Sequence, residues 1–214
     1  MAIFAWPLLL FSKSIVFYIA YLWSRSILKG LELIVGIHYQ IVGHDHLVNT
    51  KAIYAVKHQS TWETLFFILL LPRPVFILKK ELIKIPVFGD YLRAYGMIPI
   101  DRSGKGISLK YMLTATKKII DDNRSVIIFP EGTRVKPGKK APYHIGIAAL
   151  YKYIDASIIP VALNSGLFWG RNAFVKKPGT ITIKFLEPLA QGLTREEFMK
   201  NLEEKIEQES YKLL

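Results

Sequence analysis

Residues 52–71 read "AIYAVKHQSTWETLFFILLL". An apolar run, Ala52 to Val56, meets a polar cluster, Lys57 to Glu63, and a second apolar run follows from Leu65 to Leu71. The first run has the length and β-branched or aromatic content of a buried strand, and "IYAV" at 53–56 is its centre. Ser60 and Thr61 are candidate helix caps, so 62–71 reads as a helix. A strand that runs through a polar turn into a helix is the opening half of a βαβ unit. The same pattern recurs along the chain.

Strands are expected at 39–42 "YQIV", 53–56 "IYAV", 74–78 "PVFIL", 97–100 "MIPI", 126–129 "VIIF", 158–162 "IIPVA" and 180–186 "TITIKFL". Helices are expected at 62–71, 107–121, 145–154 and 194–212. The second places Leu109, Met112, Leu113, Thr116, Ile119 and Ile120 on one face. The last opens on "TREEF", a threonine cap with acidic residues behind it. Alternation of this kind predicts an α/β fold with a largely parallel, mixed sheet flanked by helices.

Four polar clusters begin where an expected strand ends: "KHQSTWE", "DRSGKG", "PEGTR" and "LNSG". In open α/β sheets ligands bind beyond the carboxyl ends of the strands. Four clusters at that edge describe one site. Arg102 and Arg134 are its natural anion ligands, because a guanidinium forks onto phosphate. Gly132 permits close backbone approach. "GTRVKPGKK" fails as a P-loop, with five residues between its first two glycines and Lys140 in the Ser/Thr position.

His58 is the candidate general base. On a regular helix it would be turned about 140° from Glu63. The two meet only if His58 precedes the helix and Glu63 lies in its first turn. Glu63 would then fix the imidazole tautomer. Ser60 to Glu63 equally fits a capping box, S-x-x-E, in which the carboxylate serves its own helix. "GHDHL" at 43–47 reads as a turn and not as a metal site, since His44, Asp45 and His46 lack a distant partner.

The 214 residues are enough for one sizeable domain. No cysteine is present, which excludes disulfides, thiolate metal sites and a cysteine nucleophile. The net charge is +12. Residues 1–47 hold Lys13, Arg25 and Lys29 against Glu32 and Asp45, a net +1, which leaves +11 for the rest. That excess predicts an anionic partner. A nucleic-acid-binding module has only this charge in its favour, for no zinc-finger or RRM signature is present. The front, "MAIFAWPLLLFSKSIVFYIAYLW", is apolar around Lys13, and burying that lysine at a bilayer centre would cost roughly 3 kcal/mol. With "ILKGLELIVGI" it predicts a pair of helices, residues 1–38, seated in or against a membrane, with residues 39–214 as the folded domain. A single span through residues 1–24 is the alternative.

From about Tyr39 to Pro188 the chain resembles the bacterial 1-acyl-glycerol-3-phosphate (lysophosphatidate) acyltransferases. The motifs that carry the resemblance are "HQSTWE" at 58–63, "KKELIKIPVFGDYLRAYGMIPIDRS" with Arg102, "FPEGTR" at 129–134 and "IIPVAL" around Pro160. The resemblance implies a glycerol-3-phosphate acyltransferase-like fold. It implies a catalytic His58 oriented by Glu63, and substrate contacts from Arg102, Glu131, Gly132, Thr133 and Arg134. It also implies neither metal nor cofactor, with acyl-carrier protein (ACP) or coenzyme A (CoA) thioester as co-substrate. The lysolipid and an anionic membrane surface are the other partners, and no nucleic acid is. The site would lie at the cytoplasmic face of a bacterial inner membrane. Lyso-ornithine lipid or another lysophospholipid is the alternative acceptor. Three positions depart from the family pattern: Glu63 where Asp is usual, Lys57 where Asn is frequent, and His144 where Lys often follows the aromatic residue.

Overall fold

The computed structural model describes residues 13–48, 51–101 and 105–214. Seven strands form one sheet: β1 (Ile37–Val42), β2 (Ala52–Val56), β3 (Val75–Lys79), β4 (Ile98–Ile100), β5 (Val126–Ile128), β6 (Ser157–Leu163) and β7 (Gly179–Phe185). Their order is β1-β7-β6-β2-β5-β3-β4. The strands from β6 to β4 are mutually parallel. β7 runs against β6, and β1 is parallel to β7. The sheet is therefore largely parallel and mixed, as expected.

β2 is buried along its whole length, the burial of a central strand covered on both faces. Pro160 is tolerated inside β6 because β7 pairs only from Val161 onward. The carbonyl of Pro160 accepts Leu186 N–H on that side, at 3.0 Å, so the missing proline N–H breaks no ladder bond.

Among the described residues six α-helices flank the sheet: α1 (Lys13–Gly30), α2 (Trp62–Leu70), α3 (Phe88–Tyr95), α4 (Lys105–Asp121), α5 (Gly146–Tyr153) and α6 (Arg195–Tyr211). The chain steps outward from β2 to β3 and β4, then returns to β5 and β6. Right-handed crossovers put the helix of the outward leg, α2, on one face and those of the return leg, α4 and α5, on the other. The contacts agree: α1 packs on α2 and α3, while α4 touches α5 and α5 touches α6.

The amino-terminal region differs from the expected helix pair. α1 continues unbroken to Gly30, which keeps right-handed helical angles, φ −61° and ψ −42°. A π-helical turn, Leu31–Val35, follows. The real stop is Gly36, at φ 78°, where the chain turns into β1. One face of α1 joins the core through Val16 and Leu28, while Tyr18, Tyr21, Leu22 and Trp23 are exposed. Among the described residues no helix is long and apolar enough to cross a membrane. Residues 1–12 lie outside the described residues, as does Arg102.

Candidate active site

β2, β4, β5 and β6 are parallel, so their four carboxyl ends share one edge. The segment after β2 leaves the sheet gradually. Lys57 N–H still bonds Val161 O at 2.9 Å, and only then does the chain turn into α2. His58 thus precedes the helix and Glu63 lies in its first turn.

The two side chains meet. His58 Nδ1 is 2.9 Å from Glu63 Oε1. The same oxygen accepts Gln59 N–H at 2.8 Å and Ser60 N–H at 2.7 Å. Oε2 accepts the Ser165 hydroxyl at 2.8 Å, and Glu63 is fully buried. Pairing with the imidazole and capping of the helix, which looked like rivals for one carboxylate, are satisfied together. The capping box itself is half formed, because Ser60 Oγ accepts Trp62 N–H and not Glu63 N–H. A carboxylate only accepts, so Nδ1 carries the proton and Nε2 presents a lone pair. Among the described residues Nε2 has no hydrogen-bond partner, and Phe129 stacks on the ring at 3.9 Å.

The turn after β5 clips the His58 backbone at both polar groups. His58 N–H donates to Glu131 Oε2 at 2.7 Å, and His58 O accepts Val135 N–H at 2.8 Å. Gly132 adopts φ 63°, which lets the chain reverse so tightly. Its N–H is already bonded to Phe129 O, at 2.9 Å. Thr133 is half-buried beside it. Arg134 Nη1 donates to Thr61 Oγ1 at 3.0 Å, which sets the guanidinium at the start of α2. Among the described residues Arg134 has no acidic partner.

Glu131 departs from its expected role as a substrate contact. Its carboxylate turns inward, 3% exposed, and Lys57 Nζ lies 2.6 Å from Oε1. Lys57 Nζ also donates to both oxygens of Glu207 on α6, at 2.7 and 2.9 Å. Tyr143 OH donates to Glu207 at 3.0 Å. Burial raises the Glu131 pKa from 4.5 to about 7, outweighing the attraction to Lys57. Burial, and then Glu207 and Glu131, push the Tyr143 phenol up, so it stays a donor.

Ser165 and Glu207 are site residues that reading the sequence did not single out. Ser165 stood inside the quoted "LNSG", directly beyond β6, and that position was its signal. Glu207 lies 150 positions from Lys57, and the unusual lysine before His58 was its only trace. His38, His44 and His46 lie on β1 and the turn after it, and no group of acidic and histidine side chains able to hold a metal occurs among the described residues.

A half-buried histidine paired with a buried carboxylate thus stands at the carboxyl edge of an α/β sheet, near an arginine that has no acidic partner among the described residues. Residues 38–164 match the family model described as Acyltransferase, more than half of the chain, and the chain belongs to that family. It is 32% identical over 161 residues to the 1-acyl-sn-glycerol-3-phosphate acyltransferase of Pseudomonas aeruginosa, covering 75% of this chain and 63% of the relative. Against the protein of that name from Helicobacter pylori the identity is 31% over 160 residues, covering 73% and 67%. Against that of Limnanthes douglasii it is 34% over 166 residues, covering 76% and 59%. The chain thus spans about six tenths of the length of the curated relatives it matches. The crystal structure of the 1-acyl-sn-glycerophosphate (LPA) acyltransferase PlsC from Thermotoga maritima shares the fold. Its TM-score is 0.73 at 20% identity, covering 94% of this chain and 80% of that one.

Proposed function

We propose that the chain transfers a fatty acyl group from an acyl thioester to the free sn-2 hydroxyl of lysophosphatidate, giving phosphatidate for phospholipid synthesis. The observation that carries this reading is the His58–Glu63 pair, whose free Nε2 shares an edge with Arg134. His58 Nε2 takes the hydroxyl proton as the oxygen attacks the thioester carbonyl. Glu63 holds Nδ1–H and stabilises the imidazolium. The carbon–sulfur bond then breaks, and the imidazolium gives that proton to the departing thiolate. Products are phosphatidate and free ACP or CoA, and no acyl-enzyme forms. Arg134, and Arg102 where it follows β4, hold the glycerol phosphate. The same family likeness supports a lipid acceptor, a carrier-bound acyl donor and a station at the cytoplasmic face of a bacterial inner membrane. The exposed aromatic residues of α1 suit the membrane interface.

The test is turnover of lysophosphatidate with acyl-ACP and acyl-CoA by the purified chain and by His58→Ala. Phosphatidate is the expected product, and the variant is expected to lose at least about a hundred-fold. An enzyme that ignores phosphate-bearing acceptors, or a variant with full turnover, overturns the proposal.

A further inference from the structure

β7 and β1 run against the parallel block, so their amino ends lie at the edge where the block's carboxyl ends lie. The segments leading into them therefore flank the site. One is the π-helical turn Leu31–Val35, and the other is the loop 170–178. They are fastened together, since Gly179 N–H donates to Gly36 O at 3.0 Å. The loop reaches the site as well: Arg171 Nη1 donates to the backbone oxygen of Arg134 at 3.4 Å.

Both tips carry large apolar side chains that the fold leaves in water. Phe174 is 92% exposed, Ile34 86%, Leu33 73% and Val175 72%. Scattered exposed apolar residues are ordinary, but four on two linked tips beside one site are not. Side chains so exposed are placed for insertion into a lipid surface. The charge on the loop has one sign. The loop 170–178 holds Arg171, Lys176 and Lys177, and no acidic residue stands between Asp155 and Glu187. Lys176 Nζ lies over the rings of Trp169 and Phe174, at 5.2 and 5.6 Å. At the other tip Glu32 is neutralised by Lys29, 3.0 Å away. An apolar tip flanked by Arg171, Lys176 and Lys177, beside a second apolar tip of balanced charge, matches the boundary between acyl chains and anionic headgroups.

We propose that Leu33, Ile34, Phe174 and Val175 insert into an anionic bilayer, making the edge that bears His58 a membrane-docking surface that extends beyond the exposed aromatic residues of α1. Only its consequence rests on the acyltransferase reading: a lysolipid hydroxyl at headgroup depth meets His58 without leaving the membrane.

The absence of cysteine makes a single engineered label unique. Val175→Cys carries an environment-sensitive fluorophore, with Tyr153→Cys as the control at the far end of α5, a position 62% exposed. Vesicles of phosphatidylglycerol and phosphatidylcholine are added to the full chain. The label at 175 is expected to shift blue and to escape aqueous iodide, while the label at 153 remains quenchable. A label at 175 as quenchable on sedimented vesicles as in buffer overturns the proposal. So does a label already protected before vesicles are added, which would mean self-association. This readout needs no turnover, so its failure is separate from failure of the proposed reaction. Where turnover is measured, Phe174→Asp with Val175→Asp is expected to lose at least about ten-fold on vesicle-borne lysolipid. A water-soluble short-chain lysolipid should be turned over as before, and an equal loss on both acceptors contradicts docking.

Discussion

Two buried carboxylates hold His58, and they are housed in opposite ways. Glu63 sits in a neutral shell of two main-chain N–H groups, an imidazole N–H and a hydroxyl. Glu131 sits in a charged shell, with Lys57 shared between it and Glu207. Fixed dipoles at the start of α2 stabilise a carboxylate without tying it to a side chain that must itself be placed. Glu63 can therefore attend to the imidazole. Glu131 governs only the backbone of His58, and its state depends on a lysine whose other partner comes from the last helix. One shell orients the ring, and the other fixes the loop that carries it.

The harshest way to break this contrast is Lys57→Ala. It leaves two buried carboxylates facing each other without a cation, a loss of about 3–5 kcal/mol in a urea titration. Adding Glu207→Gln removes one orphaned charge and is expected to restore at least about 1 kcal/mol. No recovery would show that the lysine stem, and not its charge, supports the loop.

A pH titration separates the two shells next. The folded pKa of Glu131 is raised from 4.5 to about 7, so between those values the native state keeps a proton that the unfolded chain has released. Its contribution to stability is therefore full below about 4.5, falls as pH rises towards 7, and is level above. Glu131→Gln is expected to flatten the difference in unfolding free energy between pH 5 and pH 7.5, a difference of at most about 3 kcal/mol. An unchanged slope would place the titration elsewhere.

The mildest probe is Thr194→Ala. Thr194 and Glu197 form a complete capping box at the start of α6, the helix that supplies Glu207. Losing the cap should cost about 1 kcal/mol of stability. Turnover should change by less than about two-fold, because Glu207 lies about three and a half turns further along. A larger loss of turnover would mean that the charged shell reads the whole helix and not one side chain.

Much of this was legible in the sequence, for physical reasons that differ by region. All seven strands fall within two residues of their expected bounds, because short β-branched runs buried on both faces leave few other readings. The shared edge followed from the four polar clusters. α3 was missed although Phe88, Tyr91, Leu92 and Tyr95 repeat at helical spacing and Gly96 closes the helix. Pro86 and β-branched Val87 masked its start. Val87 takes φ 64° in a three-residue turn, where Phe88 N–H bonds Pro86 O at 2.7 Å. The apolar front misled in the other direction, since its two segments suggest a pair of helices but run as one helix through residues 24–26. His58 and Glu63 were legible because they share one local segment. The Lys57–Glu207 pair was not, because no local pattern announces a partner on another helix.

The central claim is that Glu63 acts on the ring of His58 and not only on its own helix. Glu63→Gln tests it directly. The amide oxygen can still accept the N–H groups of Gln59 and Ser60, so the cap survives, but the charge that stabilises the imidazolium is gone. The measurement is the rate of phosphatidate formation by this variant, alongside its unfolding midpoint. The account predicts a fall of about a hundred-fold or more with stability within about 1 kcal/mol of the parent. Full turnover by Glu63→Gln would contradict it, and would leave the carboxylate a helix cap.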